Sequence, residues 1–128
     1  MLADIDAQPT LAVKDLARAK TFYEDVLGLH PVGPAMGAVQ GYSAGHTMLV
    51  VYESEFAGSN KATVVTWPLG RAFDKIIAAL QAKGVVFEHY DLPGLTRDGD
   101  VHVGGNLRLA WLKDPDGNII HLGSFGEH

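Results

Sequence analysis

The feature that most constrains this chain is a repeated order of local patterns: strand, helix, three strands, and then the same order again. "TLAV" (10–13) has the alternation of a short strand, and "DLARAKTFYEDVLG" follows it. There Leu16, Ala19, Phe22, Tyr23, Val26 and Leu27 recur at helical spacing and form one apolar face. Asp15 is placed to cap the start, and Gly28 supplies the left-handed residue just past the end. Three strand candidates come next: "HPV", the stretch from Gly37 to Tyr42, and "TMLVVYE". The second round opens with "ATVVTW" and continues into "LGRAFDKIIAALQAKG". Its stripe is Phe73, Ile76, Ile77 and Leu80, with Pro68 before it and Gly84 ending it. "VVFEHY", "LRLAWL" and "NIIHLGSF" complete the order. "GSNK" (58–61) is the natural connector, so the expected repeats run over about 1–57 and 60–126 of a single domain.

Composition narrows what such a fold can do. A chain of 128 residues, 47% hydrophobic and 20% charged, has enough apolar surface for one real core. The net charge of −5 leaves no basic block to displace phosphate counterions, which argues against a nucleic-acid partner. It argues in the same direction against an anionic membrane surface. With no cysteine, neither a disulfide, nor a thiolate metal site, nor a thiol nucleophile is available. "MLADIDAQPT" lacks the basic and apolar regions of a signal peptide, and no apolar run approaches the roughly 18 residues of a membrane span. A cytoplasmic location is expected.

The C-terminal stretch "DPDGNIIHLGSF" carries the sharpest chemical question. Pro115 presets a turn, and Gly117 or Asn118 accepts positive φ, so "LRLAWLK" and "NIIHLGSF" should pair as an antiparallel hairpin. Along the second strand Ile119, His121, Gly123 and Phe125 share one face, and Ile120, Leu122 and Ser124 the other. His121 therefore sits in an apolar run, away from bulk water. Three roles remain open for it: metal ligand, acid/base or polar group in a ligand pocket, and hydrogen-bonded core histidine.

"LAVKDLARAKTFYEDVLGLHPV" and "WLKDPDGNIIHLGSF" resemble the two signature stretches of the vicinal oxygen chelate superfamily. That superfamily includes glyoxalase I, fosfomycin- and bleomycin-resistance proteins and extradiol dioxygenases. "YESEFAGSNKATVVTW" and "GVVFEHYDLPGL" are similar to a glyoxalase-like subfamily of poorly defined activity. The resemblance implies an α+β fold of two tandem βαβββ modules, whose curved mixed sheets form a cup-shaped cavity. It also implies a homodimer and a small-molecule ligand. Metal-using members place one ligand on each of four strands, leaving open positions for a chelating substrate.

Carried onto this chain, the first of those strand positions is Gln8 and the last is His121. The other two fall near Val50 and Ala62, which have no donor atoms. Moving the third to Glu53 would flip its side chain to the opposite face, and Tyr52, on the face of Val50, offers only a neutral phenol. A catalytic metal normally needs three protein ligands. The expectation is thus a bleomycin-resistance-like binding protein with a degenerate metal site and no cofactor, holding an apolar or aromatic ligand. Tyr42, Tyr52, Trp67, His102, Trp111 and His121 are the expected lining. The alternative is a lyase, isomerase or dioxygenase-like enzyme. It would use Zn²⁺, Ni²⁺, Mn²⁺ or Fe²⁺ on Gln8 and His121, or His121 alone as acid/base. His46 and His102 fall in glycine-containing segments and are expected on loops. "DLPGLTRDGDVHVGG" (91–105) is expected as a lid or a dimer contact. Glu53 and Glu55 are expected to be solvated.

Overall fold

The first repeat forms as its pattern requires. In the computed structural model, which describes residues 1–126, strand β1 spans Thr10–Val13 and buries Leu11 and Val13. Helix α1 spans Leu16–Lys20 and widens into a π turn over Thr21–Val26. Asp15 Oδ1 accepts the Ala17 N–H at 3.0 Å, the expected cap. A second cap comes from far along the chain, since Glu53 Oε2 accepts the Leu16 N–H at 3.0 Å. Glu53 is therefore not merely solvated. A first-turn amide has no partner inside its own helix, and strand geometry brings this carboxylate to it. Gly28 takes φ +73°, as the end of the helix demands.

Strands β2 (His30–Pro31), β3 (Val39–Ala44) and β4 (Thr47–Glu53) follow. The sheet order is β1-β4-β3-β2, with β1 parallel to β4 and the other pairs antiparallel. Its core is Leu11, Val13, Tyr42, Leu49 and Val51 with Leu16, Ala19 and Tyr23 of the helix.

The second repeat has the same logic with one addition. Strand β5 (Thr63–Pro68) leads through a 3₁₀ turn, Gly70–Ala72, into α2 (Phe73–Ala82). Phe73, Ile77 and Leu80 are buried, and Gly84 takes φ +84°. Then come β6 (Phe87–Glu88), β7 (Thr96–Asp98), β8 (Val101–Gly104), β9 (Leu107–Lys113) and β10 (Ile119–Gly123). The order is β5-β10-β9-β8-β7, with β5 parallel to β10. In both sheets, then, the first strand lies beside the last and runs parallel to it. The far edge of β9 is shared: β6 pairs Phe87 and Glu88 with Leu112 and Trp111, while β8 pairs with residues 107–109.

Segment 91–105 contains the β7–β8 hairpin, and His102 lies on a strand rather than on the expected loop. Val101-His102-Val103 is too short an alternation to read among flanking glycines, and only pairing with β9 fixes it.

The chain divides into two compact units. Residues Met1–Lys61 form the first together with Asp114–Asn118, and Ala62–Lys113 with the stretch from Ile119 onward form the second. The "DPDGN" turn thus packs with the first unit although its flanking strands belong to the second sheet. The reason is the buried Asp114 carboxylate. Its Oδ2 accepts from Tyr23 Oη at 2.8 Å and Asn118 Nδ2 at 2.7 Å. Its Oδ1 accepts from the Asp116 and Asn118 amides at 2.9 and 2.8 Å. Asn118 Nδ2 also reaches the Ala12 carbonyl of β1 at 2.8 Å, and Arg18 pairs with Asp116 at 2.7 Å. Burial first, and then the Asp114 charge, push the Tyr23 phenol well above its ordinary pKa, so it stays a donor. Among the described residues no helix is long and apolar enough to cross a membrane.

Replacing Asp114 by Ala strands several buried donors and should cost about 3 kcal/mol of unfolding free energy in a urea melt. Tyr23→Phe removes a single donor and should cost about 1 kcal/mol. Equal losses from the two variants would contradict this hierarchy.

Candidate functional site

Strand register in the second unit assembles a row of side chains across one face of the sheet. Thr66 of β5 lies opposite His121 of β10, His121 opposite Trp111 of β9, and Trp111 opposite Glu88 of β6. A shift in the β5–β10 register between Ile119 and Ile120 is what aligns Thr66 with His121. Directly opposed residues meet through their side chains, and the His121 and Trp111 rings stack with centroids 4.6 Å apart and planes 15° apart. The Phe125 centroid lies 6.0 Å from that of His121. Its ring folds over Gly123, where any Cβ would collide with it.

The opposite face of these strands carries Ala110, Leu112, Ile120 and Leu122, all buried. Trp67 pairs with Leu122 and so projects on that side. The expectation that Trp67 lines one pocket with His121 is thus corrected by the two-residue period of the strand.

His102 and Tyr90 close the row on its β8 side. His102 is fully buried, and its Nε2 accepts the Tyr90 backbone N–H at 2.9 Å. A neutral imidazole that accepts at Nε2 carries its proton on Nδ1, and that Nδ1 is buried with no partner. The His102 and Tyr90 rings both meet Trp111 edge-on, at 4.9 and 5.4 Å. Tyr90 Oη is likewise buried without a partner, and desolvation raises its pKa.

His121 itself is half-buried. Its Nδ1 makes a long contact to Thr66 Oγ1 at 3.4 Å, and its Nε2 is shielded and unpaired. Desolvation disfavours the charged ring, so its pKa lies below the ordinary histidine value. Three buried polar atoms that have no partner among the described residues, on Tyr90, His102 and His121, therefore surround one tryptophan. Native interiors hold few such atoms.

The remaining expected residues are not gathered here. Tyr42 is fully buried in the first unit, stacked on Tyr23 at 6.1 Å, with its hydroxyl donating to Glu24 Oε2 at 2.9 Å. It is a core residue rather than pocket lining. Tyr52 is exposed on β4, and Gln8 is exposed ahead of β1, its carbonyl accepting from the Thr10 hydroxyl. Thr66 is missing from the sequence expectation, because its place beside His121 depends wholly on register.

The donor set does not fit a bound metal. At two of the four positions that the resemblance marks stand Val50 of β4 and Ala62, just ahead of β5, and neither side chain has a donor atom. Among the described residues no group of three or more His, Asp or Glu could hold an ion. One imidazole and one exposed amide fall short of the three ligands a catalytic divalent metal needs.

The sequence profile of the Glyoxalase/Bleomycin resistance protein/Dioxygenase superfamily matches residues 7–122. The chain belongs to that superfamily. Solved structures agree on the fold. Fosfomycin resistance protein FosX from Listeria monocytogenes, in complex with Mn(II) and sulfate, superimposes with a TM-score of 0.72 at 16% identity. The match covers 98% of this chain and 93% of that one. Lactoylglutathione lyase from Agrobacterium tumefaciens gives 0.68 at 19% identity, covering 94% and 92%. A glyoxalase/dioxygenase from Nostoc punctiforme gives 0.68 at 19%, covering 98% and 93%. At these identities the likeness is one of fold. No curated protein matches the chain.

The lowered His121 pKa fixes the sign of a pH effect. Above the unfolded pKa of about 6.5 the ring is neutral in both states and costs nothing. As pH falls from there towards the folded pKa, the unfolded chain takes up the proton first, and stability drops. An NMR titration of the His121 ring should give a midpoint below 6.5, and His121→Gln should flatten the acid limb of stability against pH. A midpoint above 6.5 would contradict the desolvated site.

Proposed function

We propose that this protein binds a planar, largely apolar small molecule against the Thr66–His121–Trp111 row of its second sheet, without a metal ion. The observation that carries this reading is the stacked His121–Trp111 pair, flanked by exposed Thr66 and Phe125 and beside buried polar atoms that lack partners. Ligand sites are typically apolar and aromatic with a few polar groups that fix orientation. Here the rings supply stacking surface, and the exposed Thr66 hydroxyl supplies the polar handle. Superfamily membership supports a small-molecule role, and the missing donors argue against the chelating chemistry of a metal-dependent lyase or dioxygenase. Near pH 7 the His121 ring is neutral, so the stacked pair presents an uncharged face to an apolar ligand.

The test uses 2-naphthoate as a planar probe, followed by NMR on the Trp67→Phe background so that Trp111 is the sole indole. Binding should shift the Trp111 indole and the His121 ring, and His121→Ala and Phe125→Ala should each weaken it about tenfold or more. Zn²⁺, Ni²⁺ or Mn²⁺ should leave the Tm unchanged. Near-stoichiometric metal in untagged protein, lost together with stability in His121→Ala, would overturn this reading in favour of a metal enzyme.

A further inference from the structure

The second unit holds a cleft of about 310 Å³ at the foot of α2, lined by Arg71, Phe73, Asp74, Asn106, Arg108 and Ser124 together with two glycines. None of these residues belongs to the Trp111 row. Arg71, on the 3₁₀ turn, is exposed and has no carboxylate partner among the described residues. The Arg108 guanidinium carbon sits 5.9 Å from the centroid of the Phe73 ring, which it overlies. Its Nη2 lies 3.0 Å from Asp74 Oδ1, while its Nε is buried with no acceptor. Asp74 is 75% exposed and Arg108 40% exposed, and a pair so open to water is weak and readily exchanged for another anion.

Two neutral groups add to the arginines. Ser124 Oγ accepts the Arg108 backbone N–H at 2.9 Å, which leaves its own O–H to donate elsewhere. Asn106, exposed in the β8–β9 turn, offers a side-chain amide. Among the described residues the cleft lining therefore concentrates donors and carries two arginines against one aspartate, on a chain whose net charge is −5. Planar guanidinium forks match oxyanions in shape as well as charge.

We infer that this cleft is a binding site for a small oxyanion, a phosphate or a carboxylate group, held by Arg71 and Arg108 with Ser124 and Asn106, and that Asp74 occupies Arg108 until the ligand displaces it. The inference stands apart from the aromatic row and does not depend on what binds there.

The test is an NMR titration of ¹⁵N-labelled full-length protein with inorganic phosphate, and separately with acetate, against sodium chloride at matched ionic strength. Saturable shifts confined to residues 70–74, 106–108 and 124 are expected. If phosphate alone produces them the site takes phosphate groups, and if acetate does so too it takes carboxylates as well. Arg71→Gln should weaken binding about tenfold. Asp74→Asn should tighten it severalfold, because the internal competitor is gone. Both positions are exposed, and the spectra themselves report that each variant is folded. Shifts spread over the whole surface and reproduced by chloride would overturn the inference. So would affinity that is unchanged in both variants.

Discussion

A single buried carboxylate organises the first unit. Asp114 accepts four hydrogen bonds, from the Tyr23 hydroxyl, the Asn118 side chain and the amides of residues 116 and 118. A carboxylate that is 4% exposed is tolerable only when its lone pairs are met. Meeting them fixes the hydroxyl of the first helix and the tip of the last hairpin at the same time. Asn118 extends the same network to the Ala12 carbonyl of β1. The turn therefore does more than reverse a hairpin: a segment more than ninety residues away in sequence from the first helix completes its packing.

In the second unit the controlling constraint is register. The two-residue period puts hydrocarbon on one face of β9 and β10, and Trp111, His121 and their neighbours on the other. Where the resemblance marks donor positions for an ion, this chain has valine, alanine, glutamine and histidine. The histidine at the last of these positions is covered by a tryptophan ring and desolvated, which lowers its affinity for a proton. The scaffold is shared with FosX from Listeria monocytogenes, solved in complex with Mn(II) and sulfate. The side chains on this face are suited instead to stacking and to one or two directed hydrogen bonds.

Much of the fold was legible because local signals agreed with the global order. The Asp15 cap, the glycines at 28 and 84 and the "DPDGN" turn are as the sequence implies, and so is the burial of Leu16, Ala19, Tyr23, Phe73, Ile77 and Leu80 from the two helix stripes, while Phe22, Val26, Leu27 and Ile76 are only half-buried. What escaped was whatever depended on a distant partner. Glu53 caps α1 only because β4 ends beside Leu16. Segment 91–105 became a hairpin only because β9 offers an edge to β8. Trp67 fell on the wrong face for a pocket with His121 because the β5–β10 register contains a shift no local pattern predicts. Tyr42 looked like a pocket aromatic, yet its hydroxyl found Glu24 inside the core.

The sequence by itself determined the duplicated strand-and-helix order and the lack of any thiol on this chain. Residue type and spacing are enough to decide those matters. Tertiary structure decided which side chains meet: His121 on Trp111, His102 beneath Tyr90, Asp114 on Tyr23, and Arg108 over Phe73. Each is a non-local pairing, set by strand register and by the need to satisfy buried polar atoms. Neither constraint exists until the chain has closed on itself.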